Sequence, residues 1–265
     1  MSLKRPLVLL VTSFMPLAIA KSPIEATQLQ PVFAVGQTYS NVFSIMRSIK
    51  ADGYDEVARR NGGSADYTVT AVSPEGWRFQ LLYRYDGTPA DKLDIELREG
   101  GRTQCILGTD GKRDCKPYLD GSGLVFNPGL WGTPPAHLAP GMSWTASLKS
   151  AWELGGPNGT EKVTVVSVDP ATDTVVLLRE GTASGPYAGD HGQTKLTRDG
   201  NVETFDVVPG VAHWRGYATF VKGIVFADSV LVTRYLTLKD QSGKSVRAAE
   251  RMIMLLNAAP WPTLS

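Results

Sequence analysis

The chain has 265 residues, of which 42% are hydrophobic, and its 27 basic residues nearly balance its 26 acidic residues. No block of Lys and Arg stands out, which disfavours a nucleic-acid binder with a basic face and a membrane-surface protein with a polybasic cluster. A near-neutral chain can still carry a polarised surface, so the composition weakens both classes without excluding them. The length suffices for one large β domain or two smaller ones.

Residues 1–20 differ from the rest of the chain and predict an export signal. Lys4 and Arg5 precede an apolar stretch, and Ala18 and Ala20 place small residues at the −3 and −1 positions of a cleavage site. The apolar stretch covers about 14 residues, whereas a membrane span needs roughly 20. We therefore expect cleavage after position 20 and a mature protein with no transmembrane segment that is periplasmic, with secretion as the alternative. Loss of two basic residues would leave 25 against 26 acidic ones.

The remainder of the chain consists of strand-like segments separated by turns. Val, Thr, Tyr and Leu are enriched in 67–72, 77–83 and 230–238, and Asp-Gly pairs recur beside such segments. No long segment shows a helical period. These patterns predict an all-β fold built from one or more large antiparallel curved sheets, arranged as a half-barrel or a sandwich.

The two cysteines, Cys105 and Cys115, lie symmetrically around the Asp110-Gly111 turn signal. Residues placed in this way face each other across two strands, within reach of a disulfide. We expect them to be bridged in an oxidising compartment. A redox or metal-binding pair is less favoured, because the spacing is not C-x-x-C and no larger Cys/His set accompanies it.

An internal repeat divides the chain. Residues 67–74 resemble 163–170 at an offset of 96, and at the same offset Leu81 and Leu82 align with Leu177 and Leu178. Residues 36–39 resemble 141–144 at an offset of 105. We therefore predict a duplicated β unit, with chance similarity of β-rich sequence as the alternative. The first unit would span 21–119 and the second 141–258, joined by a Gly/Pro-rich connection at 120–140 and followed by a tail at 259–265. The two units are expected to share one globular domain.

The connection is long for a loop, and long loops are often functional. Phe126, Trp131 and His137 lie in it, and we name them as residues that could contact a ligand. Trp131 could instead cap the open end of the core. No motif in the chain predicts a catalytic residue, a metal site or a cofactor.

The sequence therefore leaves the function open between two main classes. A non-enzymatic binding or carrier module for an apolar envelope ligand is favoured, because curved sheets can enclose an apolar cavity. Its partner would be a hydrophobic small molecule or lipid, and nucleic acid is not expected. The alternative is a structural or protein-interaction component of the cell envelope. An enzyme and an outer-membrane barrel are weaker hypotheses.

Overall fold

The computed structural model describes residues 24–118, 123–152, 155–188 and 192–259. The expected signal at 1–20 lies outside these residues, as does the tail beyond position 259. No helix within the described ranges is long and apolar enough to cross a membrane. The described part is built almost entirely of strands, with one short α-helix, α1 (Pro128–Trp131), and one 3₁₀ helix (Ala26–Leu29).

The strands follow one another mostly through tight turns, as the Asp-Gly pairs predict. In chain order they are β1 (Ile24–Glu25), β2 (Thr38–Ala51), β3 (Val57–Ser73), β4 (Gly76–Tyr85), β5 (Asp91–Arg98), β6 (Thr103–Leu107), β7 (Arg113–Pro117), β8 (His137–Leu138), β9 (Ser143–Leu148), β10 (Asn158–Asp169), β11 (Thr174–Ser184), β12 (Gln193–Arg198), β13 (Asn201–Pro209), β14 (Ala212–Val221), β15 (Ile224–Lys239) and β16 (Ser245–Ala259).

Fourteen of these strands form one large, curved antiparallel sheet that is not closed into a barrel, in agreement with the all-β prediction. The order across it is β7-β6-β5-β4-β3-β2-β16-β15-β14-β11-β10-β9, and β12 joins through β13, which pairs with the end of β15. The remaining two strands, β1 and β8, form a separate pair.

Period-two alternation fixes which face of the sheet is buried. In β15, side chains at even positions from Asp228 to Leu238 are buried, and those at odd positions are exposed. The pairing of Val232 with Met252, and of Met252 with Arg47, carries the same inner face into β16 and β2. We call the buried face the inner face and the opposite one the outer face.

The two halves of the sheet have the same local irregularities, which supports their interpretation as copies of one unit. The pairing register shifts between Val69 and Ala71 in the first half and between Val165 and Ser167 in the second, positions that differ by 96. The amide and carbonyl of Val69 bond to Gln37 and Gly36, and those of Val165 bond to the equivalent 142 and 141. On this interpretation, the first unit corresponds to the meander β2–β7, and the second corresponds to β9-β10-β11-β14-β15-β16 with β12–β13 inserted.

One detail of the predicted repeat needs correction. The sequence aligns Leu81 with Leu177 at the offset of 96, but in the structure Leu177 is equivalent to Phe79. The turn between the paired residues Ser73 and Gly76 holds two residues, whereas that between Asp169 and Thr174 holds four. The offset beyond the turn is therefore 98.

Three buried clusters fill the inner face. The core of the second unit is the largest and includes Trp131, Trp214 and Met254. The core of the first unit includes Phe33, Phe79 and Leu124. A third cluster lies where β12 and β13 fold toward the β2–β3 turn, and there Asp55 N–H donates to Thr197 O at 2.8 Å.

The described part of the connection, residues 123–140, crosses between these cores and makes backbone contacts with the sheet. Val225 N–H donates to Leu124 O at 2.9 Å, and Val125 forms an isolated bridge with Ile224. The helix α1 begins with Asn127, whose side chain accepts from Gly129 N–H at 3.0 Å. This connection thus seals the inner face from the first unit to the second.

Candidate functional site

An apolar groove opens at the rim of the sheet, where the two unit cores meet. We call it the rim groove, and its volume is about 410 Å³. Its lining comes from four separate parts of the chain: the segment before and at the start of β2, the connection, the β14–β15 turn with the strand residues beside it, and Ala258 near the end of β16. Concave, mostly apolar sites of several hundred cubic ångströms are typical for small ligands.

Both unit cores contribute to the floor of the rim groove. Leu124 belongs to the first core and Val225 to the second, and both are almost fully buried. Ile224 packs against the first core from the rim. Because these residues pack into the two cores, the fold itself forms the floor and the groove is preformed.

The walls are partly exposed. Val32 is 92% exposed, the largest exposure among the big hydrophobic side chains of the described residues. Across the groove, Tyr39 OH donates to Gln37 Oε1 at 2.9 Å, and Ala34 N–H donates to the same oxygen at 2.8 Å. Burial raises the pKa of Tyr39 above its ordinary value, so its hydroxyl is protonated at neutral pH. Gln37 thereby fixes the position of the Tyr39 ring.

A single cation stands at the mouth of the groove. Lys222 is exposed and occupies the β14–β15 turn with a φ of 51°. Its amide donates to Asp173 O at 2.9 Å, which anchors the turn to β11. The ammonium of Lys222 is therefore available to an anionic group at the end of an apolar ligand.

The structure places the three predicted ligand-contact residues elsewhere than in the groove. Phe126 and Trp131 are only 1% and 2% exposed and pack edge-on at a centroid distance of 5.3 Å within the core of the second unit. His137 is exposed, and its Nδ1 lies 2.9 Å from Glu25 Oε1. The groove is instead reached by Leu124, two residues before Phe126. Whether any of the three contacts a ligand stays a prediction.

The core of the second unit contains a buried ion cluster that sequence patterns did not single out. Arg179 donates to Glu161 through Nε at 3.1 Å and to Asp228 through Nη1 at 2.8 Å. Its guanidinium carbon lies 4.6 Å from the Trp131 ring centroid and 5.7 Å from that of Trp152. The three charged side chains are at most 1% exposed. These side chains are therefore shielded from solvent, and their ion pairs link β10, β11 and β15 within the core.

Trp214 completes this cluster, since its Nε1–H donates to Glu161 Oε2 at 2.6 Å. A Cβ at Gly181, on the adjacent strand, would lie 2.2 Å from a Trp214 ring carbon, so only glycine lets the ring lie flat there. Burial alone would lower the pKa of Arg179, but the carboxylates of Glu161 and Asp228 raise it. Burial raises the pKa of Asp228 to about 6.

A second charged cluster separates the core of the second unit from the third cluster. Glu250 accepts hydrogen bonds from Arg47 and Arg234, and the Tyr187 ring lies 5.2 Å and 4.6 Å from their guanidinium carbons. Arg234 and Glu250 are buried, whereas the Arg47 side chain is 26% exposed. This cluster attaches the loop after β11 to the inner face.

The predicted disulfide is present. Cys105 pairs with Cys115 across β6 and β7 on the outer face of the first unit, and neither described cysteine is free. In the same row of the sheet, Glu96 forms ion pairs with Arg78 and Arg113. No group of three or more His, Cys, Asp and Glu residues within the described ranges has the arrangement of a metal site.

Comparison with known proteins does not identify a relative. No family model matches the chain, and no curated protein matches it. Among solved structures it is similar to an outer membrane channel from Pseudomonas putida F1, with 8% identity over 86% of this chain and 97% of that chain and a TM-score of 0.20. It is also similar to Ail, the attachment invasion locus protein of Yersinia pestis, with 10% identity over 85% of this chain and 99% of that chain and a TM-score of 0.16. Such low TM-scores carry no argument about function.

Proposed function

We propose that this protein is an exported, non-enzymatic binding protein whose rim groove holds the apolar chain of an envelope lipid. The observation that carries the proposal is the preformed groove of about 410 Å³, with a floor of Leu124 and Val225 and an exposed wall at Val32. A bound acyl chain would cover the Val32 side chain, which the described part of the chain leaves 92% exposed. Burial of apolar surface contributes about 25 cal/mol per Å², so a chain of modest length would bind.

The position of Lys222 supports an amphipathic ligand in preference to a purely apolar one. Its exposed ammonium stands at the mouth of the groove, where the carboxylate of a fatty acid or the phosphate of a lipid would lie once the chain occupies the floor. The groove would then contact both ends of the ligand, with apolar side chains against the acyl chain and the Lys222 charge beside the headgroup.

A titration with a dansyl-labelled fatty acid tests this proposal. Val32→Glu places a charge on the exposed wall without disturbing the core, and Val202→Glu makes the same change at a 64% exposed position of β13. We expect saturable binding by the wild type, about tenfold weaker binding by Val32→Glu, which equals about 1.4 kcal/mol, and unchanged binding by Val202→Glu. Absence of saturable binding, or equal loss in both variants, contradicts the proposal.

The role of Lys222 is tested with a matched pair of ligands, a fatty acid and the corresponding fatty alcohol. Lys222→Asn removes the charge and keeps a residue that tolerates a positive φ. Affinity for the labelled fatty acid should fall several-fold, because an ion pair at the rim contributes about 0.2–1 kcal/mol. Affinity for the corresponding fatty alcohol should not change. Native mass spectrometry of protein purified without detergent would also detect a co-purified lipid directly.

A further inference from the structure

The outer face of the sheet carries a second concavity, far from the rim groove. We call it the outer trough; it has a volume of about 660 Å³ and spans β2, β16 and β15 beside the point where β13 ends and β14 begins. It lies at the end of β2 that holds Ser48 and Lys50, whereas the rim groove lies at the end that holds Thr38 and Tyr39. Eight residues of strand separate Ser40 in the groove lining from Ser48 in the trough lining, which corresponds to about 26 Å.

Strand pairing gathers four cations at this trough, although they are far apart in the chain. Ser48 pairs with Arg251 and Lys50 with Ala249, so Lys50 is diagonal to both Arg251 and Arg247, at about 7–8 Å between Cα atoms. On the other side of β2, Arg60 pairs with Met46, one diagonal step from Ser48. All four cations are exposed on the outer face.

The charge of these cations is not neutralised within the described part of the chain. None of the ion pairs found there involves Lys50, Arg60, Arg247 or Arg251. The one carboxylate residue that borders the trough is Glu250, and its side chain points to the inner face, where it binds Arg47 and Arg234. Exposed carboxylates lie beyond Lys50 in the β2–β3 turn, at Asp52, Asp55 and Glu56.

Exposed aromatic and aliphatic side chains border the cations. Tyr235 is 59% exposed, with the Arg247 guanidinium 3.9 Å from its ring centroid. Val211 is 50% exposed, and Leu231 and Tyr217 follow on β15 and β14. A soluble anion would need only the cations, whereas amphipathic rings and aliphatic groups beside cations are typical of surfaces that enter the headgroup region of a bilayer.

We propose that the outer trough is a docking surface for an anionic phospholipid bilayer, with the cations on the lipid phosphates and Tyr235 and Leu231 at the headgroup boundary. Charge complementarity and the adjoining apolar groups favour this occupant. The proposal goes beyond ligand binding in the rim groove and does not depend on it. With the outer trough on the bilayer, the rim groove would lie at the opposite end of β2, away from the membrane.

Vesicle co-sedimentation tests the proposal, with vesicles of phosphatidylcholine alone and of phosphatidylcholine mixed with phosphatidylglycerol. The wild type should bind only the mixed vesicles, and added salt should weaken the binding. Lys50→Glu/Arg251→Glu should weaken it by at least about 25-fold, since each cation near an anionic surface contributes about fivefold. The control Lys92→Glu/Lys116→Glu makes the same change in net charge at exposed positions of the first unit and should leave binding nearly unchanged.

Each outcome decides the proposal. Circular dichroism and thermal unfolding establish that the variants are folded, and the single variants Lys50→Gln and Arg251→Gln replace any double variant that is not. Absence of binding to the mixed vesicles, or equal loss in trough and control variants, overturns the proposal. If inorganic phosphate at the concentration of the lipid phosphate abolishes vesicle binding, the trough binds a soluble anion and the bilayer proposal is overturned. A fatty-acid titration of the same variants reports on the rim groove separately, so the two proposals fail independently.

Discussion

Ala65 and Leu81 occupy in the first unit the same sheet positions that Glu161 and Arg179 occupy in the second. The apolar pair is buried in the first core, and the ion pair is buried in the second. The same meander therefore accepts either chemistry on its inner face, provided that the buried charges are paired. The two units differ in the further contacts that accompany each kind of core.

In the second unit, the ion pair holds the connection between the units. Arg179 lies against the rings of Trp131 and Trp152, so the connection is attached to the sheet by cation–π contacts as well as by apolar packing. Among the described residues of the first unit, the core cluster contains no such group, and the Cys105–Cys115 disulfide lies near the free edge of the sheet. One copy is stabilised by buried charge and the other by a covalent bond.

The largest effect is expected from Arg179→Leu, which gives the second unit the residue of the first. Glu161 and Asp228 would then remain buried without their cation, which should lower the free energy of unfolding by about 3–5 kcal/mol. Urea denaturation measures this loss. Arg198→Leu, which removes the partly exposed pair with Glu203, should cost less than about 1 kcal/mol. Similar losses in the two variants would show that the buried cluster contributes no more to stability than a partly exposed ion pair.

A charge-free version of the cluster sharpens the comparison. In Glu161→Gln/Arg179→Leu/Asp228→Asn, no uncompensated charge stays buried and Trp214 keeps an acceptor. This variant should be more stable than Arg179→Leu alone, because the charges act as one unit. A loss larger than that of the single variant would mean that the side chains contribute independently.

The disulfide sets the next largest effect and belongs to the first unit alone. Cys105→Ala/Cys115→Ala should lower the free energy of unfolding by about 2–3 kcal/mol, since the bridge closes a short loop in the unfolded chain. Mild reduction of the wild type should give a similar loss in urea denaturation. If reduction changes nothing, the edge of the first unit is held by the Glu96 ion pairs and packing instead.

The smallest expected effect is a pH dependence that arises from the second unit. The pKa of Asp228 is raised to about 6 in the folded protein, above its ordinary value, so between about pH 4 and 6 the folded state binds a proton that the unfolded state has lost. Wild-type stability should therefore fall relative to Asp228→Asn as the pH rises through this window, by about 2 kcal/mol. Urea denaturation of both proteins at pH 4.5 and 7.5 measures the difference, and the opposite sign would contradict it.

Local sequence patterns predicted the features that local physics determines. Strand-rich composition and Asp-Gly turns predicted the all-β class, and the placement of the two cysteines around the Asp110-Gly111 turn predicted the disulfide. The sequence also contained a weaker signal for the buried ion cluster. Arg179 lies two residues from Leu177 on the same strand face, and Asp228 and Arg234 interrupt the apolar even positions of β15. A charge at an inward position of a strand demands a buried partner.

The candidate sites depend on long-range pairing, which the sequence does not display. The rim groove combines Val32, Leu124 and Val225 from three distant segments. The outer trough forms because β16 pairs with β2, which brings Arg251 beside Ser48 across about two hundred residues. A near-neutral composition hid this basic surface, since charges cluster through register and not through chain order.

The most direct measurement of the proposed function is photolabelling with a fatty acid that carries a diazirine at the end of its chain. After irradiation and proteolysis, mass spectrometry identifies the labelled peptides. The account predicts saturable labelling of peptides that contain Val32 and the β14–β15 turn, with labelling lost in Val32→Glu and retained in Val202→Glu. Labelling confined to the outer face around Tyr235, or labelling that does not saturate, would contradict it.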